Sequence, residues 1–153
     1  MIGKALFPGT FDPFTIGHYS LVNRALTIVE EVIVAIGVNE SKNSLLSVDE
    51  RVKYIERIYA DEKRIRVVKY TDLTVDVVCR EGATFILRGV RNGVDFEYER
   101  MIAEVNRTLE GIETLLLFSE PALAHISSSM VREIYRFGRE IDDYLPIPLK
   151  GKQ

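Results

Sequence analysis

The sequence predicts an α/β domain built on an open parallel sheet, and three observations carry that prediction. Short apolar runs rich in β-branched residues alternate with amphipathic stretches along the whole chain. The runs lack the in–out alternation of half-exposed strands, so they belong to strands covered on both faces. A loop bearing Pro8, Gly9, Pro13 and Gly17 separates the first run from the first helical pattern, as a strand-to-helix unit requires.

Taken in order, the strands fall at Lys4–Phe7, Val32–Val38, Ile65–Tyr70, Thr84–Leu87 and Glu113–Phe118. After the first strand a helix opens near Gly17, with an apolar stripe at Leu21, Val22, Ala25 and Val29. The second helix begins at Ser47-x-x-Glu50, a capping box, and carries Val48, Val52, Ile55 and Tyr59 on one face. Cys79 lies in an apolar helical stretch and is expected to be a buried structural thiol. Tyr98, Met101, Ile102, Val105 and Leu109 form a third stripe, expected to be core. Gly111 and Gly138 suit the positions just past helix ends. Pro146 and Pro148 stop any helix, so residues 146–153 are expected to form a loose tail. Parallel neighbours need right-handed crossovers, each with a helix. The architecture that results is a Rossmann-like five-stranded sheet with helices on both faces, a single domain spanning 1–153.

Bulk properties narrow the function. The chain has 153 residues, 46% hydrophobic and 28% charged, with a net charge of −3 and no long basic run. A general nucleic-acid surface is therefore not expected. One cysteine makes an internal disulfide impossible and fits a reducing compartment. No apolar run approaches the 18 residues that a membrane span needs, and no leader-like segment opens the chain. The expectation is a cytoplasmic protein with no membrane partner.

The loop after the first strand points to a phosphate. Gly9 and Gly17 remove the Cβ that would keep a ligand off the backbone. A helix opening there presents unpaired N–H groups and a partial positive charge, and His18 adds a directed donor. Neither a P-loop pattern nor G-x-G-x-x-G is present. In an open parallel sheet the ligand lies beyond the carboxyl ends of the strands. Those ends lead into Thr10 and His18, Asn39-Glu40-Ser41-Lys42, Arg88-Gly89-Val90-Arg91 and, further on, Ser127-Ser128-Ser129. No carboxylate pair, Ser/His/Asp set or zinc cluster accompanies them. Such an inventory suits transfer at phosphorus, where alignment and charge stabilisation do most of the work. Lys42 and Arg88 suit an attacking phosphate, His18 and Arg91 the transferred phosphoryl group, and the three serines the β- and γ-phosphates. No dedicated metal cage is visible, so a divalent ion is expected to arrive with the triphosphate.

Thr15-Ile16-Gly17-His18, preceded by Gly9-Thr10-Phe11-Asp12-Pro13, matches the [HT]-x-G-H signature of the nucleotidylyltransferase superfamily. Arg88-Gly89-Val90-Arg91 followed by Asp95-Phe96-Glu97-Tyr98-Glu99 resembles the block of the bacterial phosphopantetheine adenylyltransferases. Ser41-Lys42, Asp49-Glu50-Arg51-Val52, Asn106-Arg107 and Ile126-Ser127-Ser128-Ser129 also fall where that family has them. The resemblance implies transfer of adenylate from ATP to 4′-phosphopantetheine, a Mg²⁺ requirement, a homohexamer, and coenzyme A as feedback inhibitor. On matching positions, Thr10, Lys42, Thr74 and Arg88 would contact the pantetheine substrate, and His18, Lys42 and Arg91 would be catalytic. From the first loop, Thr10, Phe11, Gly17 and His18 would meet ATP. Gly89, Val90, Arg91 and Glu99 would meet it from the fourth strand and the helix that follows. Leu123, Ala124, His125 and Ile126, with Ser127, Ser128 and Ser129, would complete the nucleotide site. Two alternatives stand beside this reading: another small-acceptor nucleotidylyltransferase, such as one acting on nicotinamide mononucleotide, and a nucleotide-binding module without turnover.

Overall fold

A computed structural model describes residues 1–39 and 43–150. Its strands are β1 (Lys4–Gly9), β2 (Glu31–Gly37), β3 (Ile65–Tyr70), β4 (Phe85–Val90) and β5 (Thr114–Phe118). The helices are α1 (Ile16–Ala25), α2 (Val48–Ile58), α3 (Thr74–Glu81), α4 (Gly93–Glu110) and α5 (Ser128–Arg136). The strands form one parallel sheet in the order β3-β2-β1-β4-β5. This is the Rossmann-like α/β architecture expected from the alternation of elements.

Strand residues alternate between two faces and fill two cores. Ala5, Phe7, Val32, Val34, Ile36 and Leu87 pack in one cluster with residues of α1 and α2. Leu6, Ile33, Ala35 and Ile86 pack on the other side with Val77 and Val78 of α3. Strand order reverses at β1 and β4, where the chain turns from filling one half of the sheet to filling the other. The β1–β4 ladder covers only Ala5–Phe85 and Leu6–Ile86, whereas β1 and β2 stay paired as far as Gly9–Ile36. Beyond Leu6 the two central strands therefore part, opening a crevice at the switch point.

The strand ends run further than the sequence patterns suggest. Pro8 belongs to β1 and is tolerated because the ladder with β4 has already ended beside it. Arg88, Gly89 and Val90 are strand residues, held by pairing with β5 up to Val90–Phe118. Ser47 and Glu50 form the expected capping box, and Gly111 and Gly138 adopt left-handed φ angles of 67° and 76° past α4 and α5.

Three expectations need correction. Cys79 is exposed, because α3 turns Val75, Val77 and Val78 inward and leaves the thiol on the outer side. Tyr98, Met101, Val105 and Leu109 are about half exposed and are not core. A helical stripe reports that a face is suited to being covered, not that the same chain covers it. The segment after Pro146 is docked: Tyr54 Oη donates to the Ile147 carbonyl at 2.7 Å, and Arg57 donates to the carbonyls of Pro148 and Leu149. Ile147 and Leu149 also pack on the first core. Residues 151–153 lie outside the described residues.

Candidate active site

Thr15 and His18 explain the T-x-G-H pattern physically. Thr15 is the N-cap of α1, and its hydroxyl oxygen accepts the His18 N–H. In return the Thr15 backbone N–H donates to His18 Nδ1 at 3.0 Å. This is a capping box in which imidazole replaces the usual Glu. A backbone N–H can only donate, so Nδ1 carries no proton and the proton of the neutral ring sits on Nε2. The ring is packed among Phe7, Phe11 and Phe14, with Phe11 edge-on at 5.1 Å. Burial, and then the charges of Arg88 and Arg91, lower its pKa from 6.5 to about 3. His18 is therefore a neutral donor held in one tautomer.

The two loop glycines do different work. A Cβ on Gly9 would stand 2.8 Å from the Phe11 ring. Phe11 turns back over that space at φ 52°, so the missing Cβ admits the protein's own aromatic ring, while the Gly9 backbone lines both cavities. At Gly17 a Cβ would meet nothing closer than 3.4 Å, and this glycine lines open space. At Gly89 a Cβ would come within 2.4 Å of Leu21 Cδ1, so the buried Leu21 side chain of α1 uses the space this glycine leaves.

Two cavities meet at the switch point. The larger, of about 660 Å³, runs from the β1–α1 loop to the first turns of α5. The smaller, of about 390 Å³, lies between the carboxyl ends of the sheet and α4. Both sizes fall in the range of small-molecule sites. Thr10, Arg88 and Glu99 line both cavities and form their common wall. Arg88 Nε and Nη2 bind the Glu99 carboxylate at 2.8 and 2.7 Å, while Nη1 donates to the Pro8 carbonyl. That carbonyl is available because β1 and β4 have separated. Arg91 Nε binds Asp95 at 3.0 Å.

The structure gathers most of the predicted residues. Gly17, His18, Gly89, Arg91 and Ser127–Ser129 line the larger cavity, with Phe11, Leu123 and Ile126 as its apolar lining. Thr74, at the start of α3, lines the smaller one with Thr10 and Arg88. Val90, Ala124 and His125 line neither: Val90 is buried in the sheet and His125 is exposed. Ser127 Oγ accepts the Met130 N–H and Ser128 Oγ donates to the Pro13 carbonyl. Ser129 Oγ accepts from Arg132 Nη2 at 3.2 Å, so all three serine hydroxyls are engaged within the protein, and the unpaired N–H groups of the first turn of α5 are what is left for a ligand. Lys42 lies outside the described residues.

Several site residues escaped the sequence reading. Tyr98, Ile102 and Asn106, spaced four apart on α4, line the smaller cavity. The first two had been assigned to a core stripe. Arg132 and Arg136 line the larger cavity from α5. The signal was present, since Ser129, Arg132 and Arg136 recur at helical spacing and share one face. Asp12 and Arg51 form a buried pair behind the loop, with side chains 4% and 1% exposed.

Fold and site together define a nucleotidyltransferase, and the cytidylyltransferase-like family profile matches residues 6–134. The phosphopantetheine adenylyltransferase of Phocaeicola vulgatus is 52% identical over 147 residues, covering 96% of this chain and 97% of that protein. Its counterpart in Bacteroides thetaiotaomicron is 51% identical over 143 residues, covering 94% and 95%. This chain belongs to the phosphopantetheine adenylyltransferase family. Among solved structures, a bifunctional NMN adenylyltransferase/ADP ribose pyrophosphatase from Francisella tularensis shares the fold, with a TM-score of 0.70 at 17% identity. That match takes in 95% of this chain and 45% of the other.

Proposed function

We propose that the protein transfers the adenylyl group of ATP to 4′-phosphopantetheine, giving dephospho-CoA and pyrophosphate. The observation that carries this reading is the pair of cavities with Thr10 and Arg88 in their shared wall. A two-substrate transfer needs two pockets whose contents meet at one point, and Arg88 stands at that point. The larger cavity takes ATP. The smaller one, with apolar and amide-bearing α4 residues such as Ile102 and Asn106, takes the pantetheine arm.

The chemistry asks little of the protein beyond placement and charge. An oxygen of the acceptor phosphate attacks the α-phosphorus, the bond to the bridging oxygen breaks, and pyrophosphate leaves with the electron pair. No enzyme nucleophile takes part. Arg88, held in a fixed plane by Glu99, orients the acceptor phosphate through its cavity-facing surface. His18 Nε2–H donates to a non-bridging α-phosphoryl oxygen, where negative charge grows in the transition state. Being neutral, it needs no proton from solution at working pH. Arg91 supports the same oxygens, and Lys42 is assigned to bridge attacking and transferred phosphates. Magnesium travels with the triphosphate as part of the substrate, since Asp95 and Glu99 at the cavity are already engaged by arginines.

The exposed stripe on α4 supports self-association into the hexamer that the family resemblance implies. Coenzyme A contains both a pantetheine arm and an adenine nucleotide, which supports its assignment as an inhibitor spanning both cavities. The use of ATP supports a cytoplasmic location for the reaction; among the described residues no helix is long and apolar enough to cross a membrane. The deciding assay follows pyrophosphate release from ATP and Mg²⁺ with either 4′-phosphopantetheine or nicotinamide mononucleotide as acceptor. Release with the first alone is expected. Release only with the second, or ATP binding without release in either, would replace this reading.

A further inference from the structure

Two buried hydroxyls have no hydrogen-bond partner among the described residues, Tyr59 Oη and Thr114 Oγ1. A buried polar group left unpaired costs stability, and the two stand in different places. Tyr59 is held by its ring, which packs in the first core against Phe14 and Tyr19 and lines neither cavity. Thr114, the first residue of β5, lines the smaller cavity. It pairs with Ile86, and Leu116 pairs with Arg88. Thr114 therefore shares a sheet face with Arg88 and sits about 7 Å nearer the amino ends of the strands. Asn106 meets the same cavity from α4, is 9% exposed and has no side-chain hydrogen bond among the described residues. It stands two turns, about 10 Å, along α4 from the Glu99 that holds Arg88. Ile102 and Ala103 line the stretch between. The smaller cavity thus has a charged end at Arg88, an apolar middle, and a neutral polar end at Asn106 and Thr114.

We propose that Thr114 is a specificity-determining residue, whose hydroxyl joins Asn106 in recognising an amide of the acceptor's arm. This deepens the adenylyl-transfer reading and rests on it, because the acceptor there is 4′-phosphopantetheine, whose arm carries amides beyond its phosphate. A secondary amide presents one N–H and one carbonyl. Asn106 carries a donor and an acceptor on one side chain, and the Thr114 hydroxyl supplies a second donor. The Thr114 O–H donates to the amide carbonyl, and Asn106 Oδ1 accepts the amide N–H. Selectivity follows from what the protein leaves unpaired. A pocket with buried polar groups rejects a ligand that lacks their partners far more strongly than an apolar pocket rejects a missing methylene. Arg88 reads the acceptor's phosphate, and the distal pair reads what that phosphate is attached to. Without the acceptor the Thr114 hydroxyl stays unpaired at a cost in stability, which the arm's amide relieves.

The test compares the full chain with its Thr114→Val and Thr114→Ser variants. Valine keeps the shape of threonine and removes the hydroxyl. Calorimetry should show 4′-phosphopantetheine binding weakened about three- to tenfold in Thr114→Val, the range of a neutral hydrogen bond. Thr114→Ser should stay within about twofold of wild type, and ATP binding should be unchanged in both. An alkyl monophosphate of similar length, which has no amide, should bind wild type and Thr114→Val alike. Without ligand, Thr114→Val should unfold at or above the wild-type temperature, because its side chain leaves nothing unpaired. Unchanged 4′-phosphopantetheine affinity in Thr114→Val overturns the proposal. An equal loss for the alkyl phosphate does so too, since it would mean a reshaped pocket. A lower unfolding temperature with all affinities reduced together would make the hydroxyl a structural group and overturn it as well. Thr114-dependent binding of the amide-bearing acceptor, in a protein that releases no pyrophosphate with it, would leave the amide site standing and remove the transfer reading alone.

Discussion

Two arginine–carboxylate pairs flank the same loop, and they have opposite surroundings. Asp12 and Arg51 are 4% and 1% exposed, and the closest contact between their charges is 3.8 Å. Arg88 and Glu99 are 29% and 7% exposed and touch at 2.7 Å. The sealed pair is the longer one because its groups are shared with the backbone. Asp12 accepts the N–H groups of Leu45 and Leu46 at 2.9 and 2.8 Å. Arg51 donates to the carbonyls of Leu46 and Thr10 and to Ser44 Oγ. One pair stitches the β1–α1 loop to the segment before α2. The other leaves part of its guanidinium surface facing both cavities. Chemistry of the same type becomes scaffold or site according to whether its remaining hydrogen-bonding capacity is spent on protein or turned to solvent.

The largest expected effect tests the sealed pair. Arg51→Met leaves the Asp12 carboxylate buried without its cation, a change that costs about 3–5 kcal/mol of folding stability. Urea unfolding should show it as a lower midpoint with an unchanged slope. Stability within about 1 kcal/mol of wild type would mean that the pair is not the tie described here. Arg88→Ala should act chiefly on ligands. The acceptor's dissociation constant should rise roughly 10–100-fold, following the worth of a charged hydrogen bond, and that of ATP should rise less. Calorimetry with each ligand separates the two, and a larger loss for ATP would reassign Arg88 to the nucleotide.

What could be read from the sequence divides along the same line. The phosphate loop was legible because its demands are local: Thr15 caps the helix, His18 answers within one turn, and Gly17 leaves room. The central strands β1, β2 and β4 were legible because strands covered on both faces read as apolar runs, whereas the edge strands β3 and β5 turn out only partly buried, with Arg66, Lys69 and Phe118 exposed. Arg51 was not legible as a buried cation, since a charged residue in an amphipathic helix reads as solvent-facing until its partner 39 positions earlier is known. Gly9 was read for its approach to a ligand, and it does line both cavities, but nothing in the sequence shows that the ring of Phe11 also needs the space its Cβ would take. The α4 stripe failed differently, because periodicity does not say which surface covers it. Arg132 and Arg136 were missed because a role at the cavity depends on where α5 lands against Asp12 and Asn43, contacts that span 120 and 93 positions.

The smallest expected effect concerns His18, which reports on how well the open pair hides its charge. Glu99 does not fully mask Arg88, whose charge adds to burial in lowering the imidazole's pKa from 6.5 to about 3. Between those values the unfolded chain binds a proton that the folded one refuses, so protons favour unfolding. The stabilisation linked to His18 is complete above pH 6.5 and is lost as pH falls toward 3, with a limiting slope of about 1.4 kcal/mol per pH unit. Comparing wild type with His18→Gln between pH 6.5 and 5, above the usual carboxylate range, isolates this slope, which the variant should lack. The same depression predicts that His18 contributes no ionisation to the turnover profile from pH 5 to 8. In Arg88→Ala, NMR of the imidazole should show its titration moving up toward 6.5, by less than the full distance because burial comes first among the causes. If the imidazole titrates unchanged in that variant, the guanidinium charge is neutralised at Glu99 and does not reach the ring. The open pair would then resemble the sealed one in its electrostatics and differ from it only in access.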